Sequence, residues 1–202
     1  MKLSGTGSDL RYLDLQRDLG KQSGLPMTPN QPESTEPMFY YFAYGSCMCP
    51  VDLKRSLGEN THPYVVGVAR LNGYRLGFYN YSRDRNCGCL DIVKDANSSV
   101  EGVLYQLPWR LSDLLDKREG VAQANYRHEM VNLQCQDRWY LNVRTYTVIQ
   151  KLTEELAPND WYFNVVLQGA VVCGLSQGYR WQLFEHMYQL QSRQSSTQLQ
   201  IA

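Results

Sequence analysis

The run Tyr41-Phe42-Ala43-Tyr44-Gly45-Ser46 and the carboxylate of Glu119, within Lys117-Arg118-Glu119-Gly120-Val121, are the residues of this chain best suited to chemistry. An aromatic strand that ends at a glycine and turns into a helix leaves backbone N–H groups unpaired and aimed at one point. Such a point attracts a carboxylate, a phosphate or a developing oxyanion, and Gly45 lets the backbone come close to it. Pro50, after Ser46-Cys47-Met48-Cys49, suits the first turn of the following helix. Glu119 stands at the end of a short helical pattern, Leu111–Lys117, before Gly120 breaks it. Taken alone, a Lys-Arg-Glu run reads as a solvated helix end. Together the two segments offer an anion cradle and one acid/base group.

Other constellations carry less. Gly174-Leu175-Ser176-Gln177-Gly178 has the spacing of a hydrolase nucleophile elbow, but no Asp follows Ser176, and Glu185 and His186 belong to the same helical pattern. Ser176 is therefore expected to cap the last helix. Cys47/Cys49 and Cys87/Cys89 form two Cys-x-Cys pairs whose spacing is too tight for an ordinary structural zinc site, so space-filling thiols are expected. Cys47 beside convergent N–H groups is the thiol expected to have a lowered pKa and to oxidise readily. His62, His128 and His186 share no spacing, which gives no reason to expect a metal. There is no Walker or dinucleotide glycine signature, and no cofactor is expected.

The elements that must position these residues are legible in outline. Twenty basic and twenty acidic residues cancel, which favours a small-molecule substrate over nucleic acid or an anionic membrane. No apolar run reaches the roughly 18 residues of a bilayer span and the opening Met1-Lys2-Leu3-Ser4 has no apolar signal core, so a cytoplasmic location is expected. Residues 1–37 read as a flexible tail with one weak helical pattern, 38–190 as the domain and 191–202 as a second loose tail. Within the domain a buried strand is expected at Met38–Tyr44 and a helix at Pro50–Leu57, ended by Gly58. Val65–Leu71 and Tyr74–Tyr79 read as a hairpin about Asn72-Gly73. Leu90–Val93 and Ser99–Leu107 add two strands, with Asn97-Ser98-Ser99 as a polar loop. Tyr126–Ile149 splits into two strands at Gln136-Asp137-Arg138, Trp161–Leu167 reads as extended, and Leu175–Leu190 as a helix. Many short strands with few helices imply an α+β domain around a compact mixed sheet or small barrel.

The ordered set of motifs resembles the γ-glutamylcyclotransferase family, with its AIG2-like and butirosin-biosynthesis relatives, over most of residues 39–190. The Tyr-Phe-Ala-Tyr-Gly-Ser opening stands at Tyr41–Ser46, Ala-Arg-Leu-x-Gly-Tyr-Arg-Leu-x-Phe at Ala69–Phe78, and Gly-Val-Leu-Tyr-x-Leu at Gly102–Leu107. The family's Leu-Asp-x-x-Glu-Gly is matched by Leu115, Asp116, Glu119 and Gly120; later tyrosines match Tyr126 and Tyr162, the latter ahead of Gly169-Ala170. The resemblance implies a small mixed β-barrel with flanking helices and release of 5-oxoproline from a γ-glutamyl amino acid, peptide or amine, without metal or cofactor. It implies Glu119 as general acid/base and Tyr41, Phe42, Ala43, Tyr44, Gly45, Ser46 and Cys47 as the substrate cradle, with Tyr162 contacting substrate and Tyr126 at the pocket wall. Many members carry Asn where this chain has Cys47, and a thiol is a much weaker hydrogen-bonding partner. A non-catalytic γ-glutamyl or small-anion binding module on the same fold is the alternative, and a thiol-based sensor a third.

Overall fold

The computed structural model describes residues 36–201, with side chains through Gln194; the expected tail at 1–37 lies almost wholly outside the described residues. Five strands close into a mixed barrel in the order β1-β3-β2-β4-β5. The first, β1 (Met38–Ala43), is aromatic along its length and buries Tyr41, Phe42 and Ala43, so it sits between two neighbours. It pairs antiparallel with β3 (Cys87–Pro108) and parallel with β5 (Arg138–Val148) at Tyr41 and Arg144, the contact that closes the barrel. Strand β4 (Tyr126–Cys135) joins β5 through Gln136 and Asp137, both at positive φ, the backbone a tight two-residue hairpin needs. It meets β2 (Val65–Ser82) at Ala69 and Cys135.

The hairpin expected at Asn72-Gly73 does not form. β2 runs straight through both residues, and the chain turns at Arg83–Asn86 instead. Gly73, at φ +80°, makes an irregularity in the ladder: Asn72 faces Ser99 and Tyr74 faces Lys94, leaving Asp95–Ser98 opposite a single glycine. The Asp95 carboxylate accepts the Asn97 N–H at 3.1 Å and the Ser98 hydroxyl at 2.8 Å within that stretch. A bulge and a type I′ turn both call for positive φ at an Asn-Gly step, and pairing with the long β3 selected the bulge. For the same reason the two strands expected at Leu90–Val93 and Ser99–Leu107 are one, β3.

Helix α1 (Pro50–Leu57) has Pro at its first position and Gly58 in the left-handed region at its end, as expected. Helix α2 (Ser112–Glu119) ends the same way at Gly120. Trp161–Leu167 is not extended but lies in helix α3 (Asp160–Val172). The side chain of Asn159 accepts the Tyr162 N–H at 2.8 Å and Asp160 occupies the first turn, and this cap overrides the strand preference of an aromatic, β-branched run. Helix α4 (Gln177–Ile201) continues well past Leu190, so the loose tail expected at 191–202 is helical through Ile201. Ser176 caps it, its Oγ accepting the Tyr179 N–H at 3.3 Å while donating to Glu101 at 2.7 Å. No helix among the described residues is long and apolar enough to cross a membrane.

An irregular strap, residues 149–158, lies across the far end of β2 and β3. Leu152 and Leu156 donate their N–H groups to the carbonyls of Tyr79 and Phe78, both at 2.9 Å, and Gly88 donates to Ala157 at 2.9 Å. Lys151 pairs with Asp91, a fully buried carboxylate that also accepts the Val148 N–H at 2.9 Å and the Thr147 hydroxyl at 3.0 Å. Gly88 is required by the close approach: a Cβ there would overlap the Leu156 carbonyl. Gly88→Ala is expected to lower unfolding stability by about 2 kcal/mol in urea titration, whereas an unchanged midpoint would show that the strap is not held against β3.

Candidate active site

Where β1 ends, Gly45 leads into a 3₁₀ turn, Ser46–Met48. Only its last amide is closed within the turn, Met48 N–H to Gly45 C=O at 2.9 Å, and the preceding amides open the turn with no earlier carbonyl of it to bond. The turn is fastened from behind, because the Tyr105 hydroxyl and the Cys173 thiol both donate to the Met48 carbonyl, at 2.9 Å and 3.1 Å. Helix α3 packs against it through Gly169, where a Cβ would stand 3.2 Å from the Cys49 nitrogen.

Glu119 reaches the same place from α2. One turn earlier on that helix, Asp116 accepts from the Tyr146 hydroxyl and contacts His128 at 2.7 Å, docking α2 on β4 and β5. The Glu119 carboxylate accepts a hydrogen bond from the Cys47 thiol at 3.0 Å, and Arg118 donates to the same sulfur at 2.9 Å. Arg118 also donates to Ser46 at 3.2 Å, to Ser56, and to Asp52 on α1 at 2.6 Å. This guanidinium and its Asp52 partner are 10% and 13% exposed, and the pair ties the turn, α1 and α2 into one unit. Burial works against its charge, but Cys47, Glu119 and Asp52 outweigh that and raise its pKa.

A cavity of about 830 Å³ opens over these groups. Tyr41, Tyr44, Gly45, Ser46, Cys47, Glu119, Tyr126 and Tyr162 all line it, so residues far apart in sequence are brought to one hollow. Phe42 and Ala43 do not line it; they are packed in the barrel core. Tyr162 and Tyr126 flank Leu90, whose N–H donates to the Tyr162 hydroxyl at 3.2 Å and whose carbonyl accepts from Tyr126 at 2.8 Å. The Tyr162 hydroxyl would lie 3.4 Å from a Cβ at Gly45, so the bare glycine and the phenol share one narrow space. Burial pushes the phenols of Tyr41, Tyr44, Tyr126 and Tyr162 well above the usual tyrosine value, so they remain neutral. Arg118, Asn80, Arg83, Asp84, Arg85 and the strap residues Gln150 and Leu152 also line it and were not anticipated from sequence. The only sequence signal for Arg118 was its place beside Glu119, in a run that reads as solvent-facing.

Cys47 is not the reactive thiol that its position in sequence implied. Burial pushes its pKa up to about 12, and Glu119 adds to the rise against the opposing pull of Arg118. The neutral S–H is the form that can donate to Glu119. In the second pair a hydrogen bond from Cys89 lowers Cys87 to about 6, while Cys89 is raised. All six cysteines are free, and among the described residues no three His, Cys, Asp or Glu side chains are grouped as metal ligands. The histidines stay apart, His186 pairing with Glu155 on the strap and His128 with Asp116.

The closed mixed barrel has the γ-glutamylcyclotransferase fold, as its likenesses to solved structures show. Residues 99–183 match the model of the AIG2-like family. The chain is 34% identical over 151 residues to YkqA of Bacillus subtilis (strain 168), whose gamma-glutamylcyclotransferase name is itself provisional. That alignment covers 75% of this chain and 53% of YkqA, so the chain spans about half the length of this curated relative. The crystal structure of YkqA superposes with a TM-score of 0.69 at 32% identity, over 76% of this chain and 55% of that one. A solved gamma-glutamyl cyclotransferase superposes with a TM-score of 0.65 at 25% identity, over 73% and 86% of the two chains. Together these likenesses give the barrel domain the γ-glutamylcyclotransferase fold and make residues 99–183 similar to the AIG2-like family.

The protonated, enclosed state of Cys47 has a direct readout. A pKa near 12 instead of 9 leaves a thiolate fraction roughly a thousand-fold smaller at neutral pH. With iodoacetamide at pH 7.5, peptide mapping is expected to find Cys47 unmodified in the folded protein and labelled after denaturation. Rapid labelling of the folded protein would contradict this account of the site.

Proposed function

We propose that this chain is a γ-glutamyl cyclotransferase that releases 5-oxoproline from a γ-glutamyl amino acid, peptide or amine, with Glu119 as general acid/base. The observation that carries the reading is the placement of the Glu119 carboxylate beside the open turn at Gly45–Cys47, at the floor of a cavity large enough for a dipeptide-sized substrate. The match of residues 99–183 to the AIG2-like family, and the gamma-glutamyl cyclotransferase names of similar proteins, support it.

In the proposed reaction the γ-carbonyl oxygen faces the amides of the turn, which stabilise the negative charge that develops there. The substrate's own α-amine attacks the γ-carbonyl carbon, forming the C–N bond of the five-membered lactam, and the bond to the leaving nitrogen breaks. The protein supplies no nucleophile in this scheme; holding amine and carbonyl in register replaces a bimolecular encounter with an intramolecular one. Overall the attacking nitrogen sheds two protons, passing from ammonium to lactam N–H, and the departing nitrogen takes up two and leaves as an ammonium ion. Glu119 accepts a proton from the first nitrogen and delivers one to the second. The Cys47 thiol and Arg118 hold its carboxylate in place for both transfers. The four neutral tyrosines wall the cavity without adding charge.

The test is 5-oxoproline release, followed by mass spectrometry, from γ-glutamyl-alanine, γ-glutamyl-ε-lysine, glutathione and a γ-glutamylated amine. At least one is expected to be turned over, and Glu119→Gln to lower kcat by about a thousand-fold while substrate still binds. Normal turnover by Glu119→Gln would remove Glu119 from the mechanism. Binding without turnover by the natural sequence would identify a non-catalytic γ-glutamyl-binding module.

A further inference from the structure

Arg85 is the cavity's one partly buried guanidinium that the proposed chemistry leaves without a role. It comes from the turn between β2 and β3 and is fastened there, since its carbonyl accepts the Asn159 side chain at 2.7 Å, next to the start of α3. Its guanidinium lies over the ring of Tyr162, 5.6 Å from the centroid, and 6.0 Å from that of Trp161. Its other polar contact is a long one, Nη1 to the Cys89 sulfur at 3.9 Å.

Among the described residues, Arg85 has no carboxylate within 4.0 Å. Two more deeply enclosed arginines are paired: Arg118 with Asp52 at 2.6 Å and Arg144 with Asp116 at 3.8 Å. A guanidinium taken partly out of water and left on aromatic faces is incompletely satisfied, and a carboxylate is the group whose geometry matches its fork. Tyr162 meets the Gly45 cradle through its hydroxyl and carries Arg85 over its ring, and all three line the same cavity. The cyclising glutamyl half must fold compactly at the cradle and Glu119. The leaving half extends away from the γ-carbonyl within the same cavity, which Arg85 also lines.

We propose that Arg85 binds the free carboxylate of the leaving group, so that the preferred substrates are γ-glutamyl amino acids or peptides rather than γ-glutamyl amines that lack a carboxylate. This rests on the cyclotransferase reading above and narrows it to a substrate class.

γ-Glutamyl-alanine and γ-glutamyl-ethylamide make a matched pair, because the second is the first without the leaving-group carboxylate. The preference of the natural sequence for γ-glutamyl-alanine, measured as a ratio of kcat/KM values, is expected to fall roughly 10- to 100-fold in Arg85→Gln. Arg85→Lys, which keeps the charge but not the fork, is expected to recover part of it. An unchanged ratio in Arg85→Gln, or equal losses on both compounds in both variants, would overturn the proposal. Titration calorimetry of both compounds against Glu119→Gln, with and without Arg85→Gln, tests it independently of turnover. Tighter binding of γ-glutamyl-alanine that disappears with Arg85→Gln upholds the carboxylate site even where no 5-oxoproline forms, an outcome that would sink the cyclotransferase reading alone. Equal binding of the two compounds overturns the carboxylate site.

Discussion

The buried contact of Arg118 with Asp52 is the interaction on which the site depends. One guanidinium reaches α1 through Asp52 and Ser56, the 3₁₀ turn through Ser46, and the Cys47 sulfur that in turn touches Glu119. It adds α1 to a turn and a helix-end carboxylate that already meet through the Cys47–Glu119 hydrogen bond. A buried ion pair of this kind is weak evidence for stability, since desolvation consumes much of the attraction. Its value here is geometric: five planar donors can hold several acceptors in one arrangement at once.

Around that knot, the barrel supplies rigidity and the helices supply enclosure. β1 is buried between β3 and β5, so the position of its C-terminal glycine is set by two hydrogen-bonded neighbours. The strap over β2 and β3 is held by backbone bonds and by the fully buried Asp91, and it brings Gln150 and Leu152 to the cavity. Burial then does chemical work on the groups that remain. It keeps the Cys47 proton on sulfur and the wall tyrosines neutral, so the cavity's charges are those of Glu119, Arg118 and the β2–β3 turn.

The Cys47 thiol shows how a reading of residue types can have the right place and the wrong property. Proximity to unpaired amides argues for an acidified thiol, and only the depth of burial and the neighbouring carboxylate reverse the sign. Arg85 shows the converse: in sequence it is one charge in a polar turn, and its interest comes from the aromatic faces beneath it and the missing carboxylate beside it.

Local rules determined much of this protein directly from sequence. Pro50 and Gly58 bound α1, Gly120 ends α2 immediately after Glu119, Gln136-Asp137 turns β4 into β5, and Ser176 caps α4, because each feature depends on backbone preferences a few residues long. The aromatic run into Gly45 and the carboxylate at Glu119 were likewise legible as a cradle and an acid/base candidate. The tertiary structure decided the rest. Asn72-Gly73 became a bulge because a long partner strand outweighed the turn, and Trp161–Leu167 became helical because the Asn159 cap and packing against the 3₁₀ turn outweighed strand preference. Which charges are paired, and which thiol keeps its proton, depend on burial and on contacts between distant segments, and neither quantity is a property of a residue or its sequence neighbours.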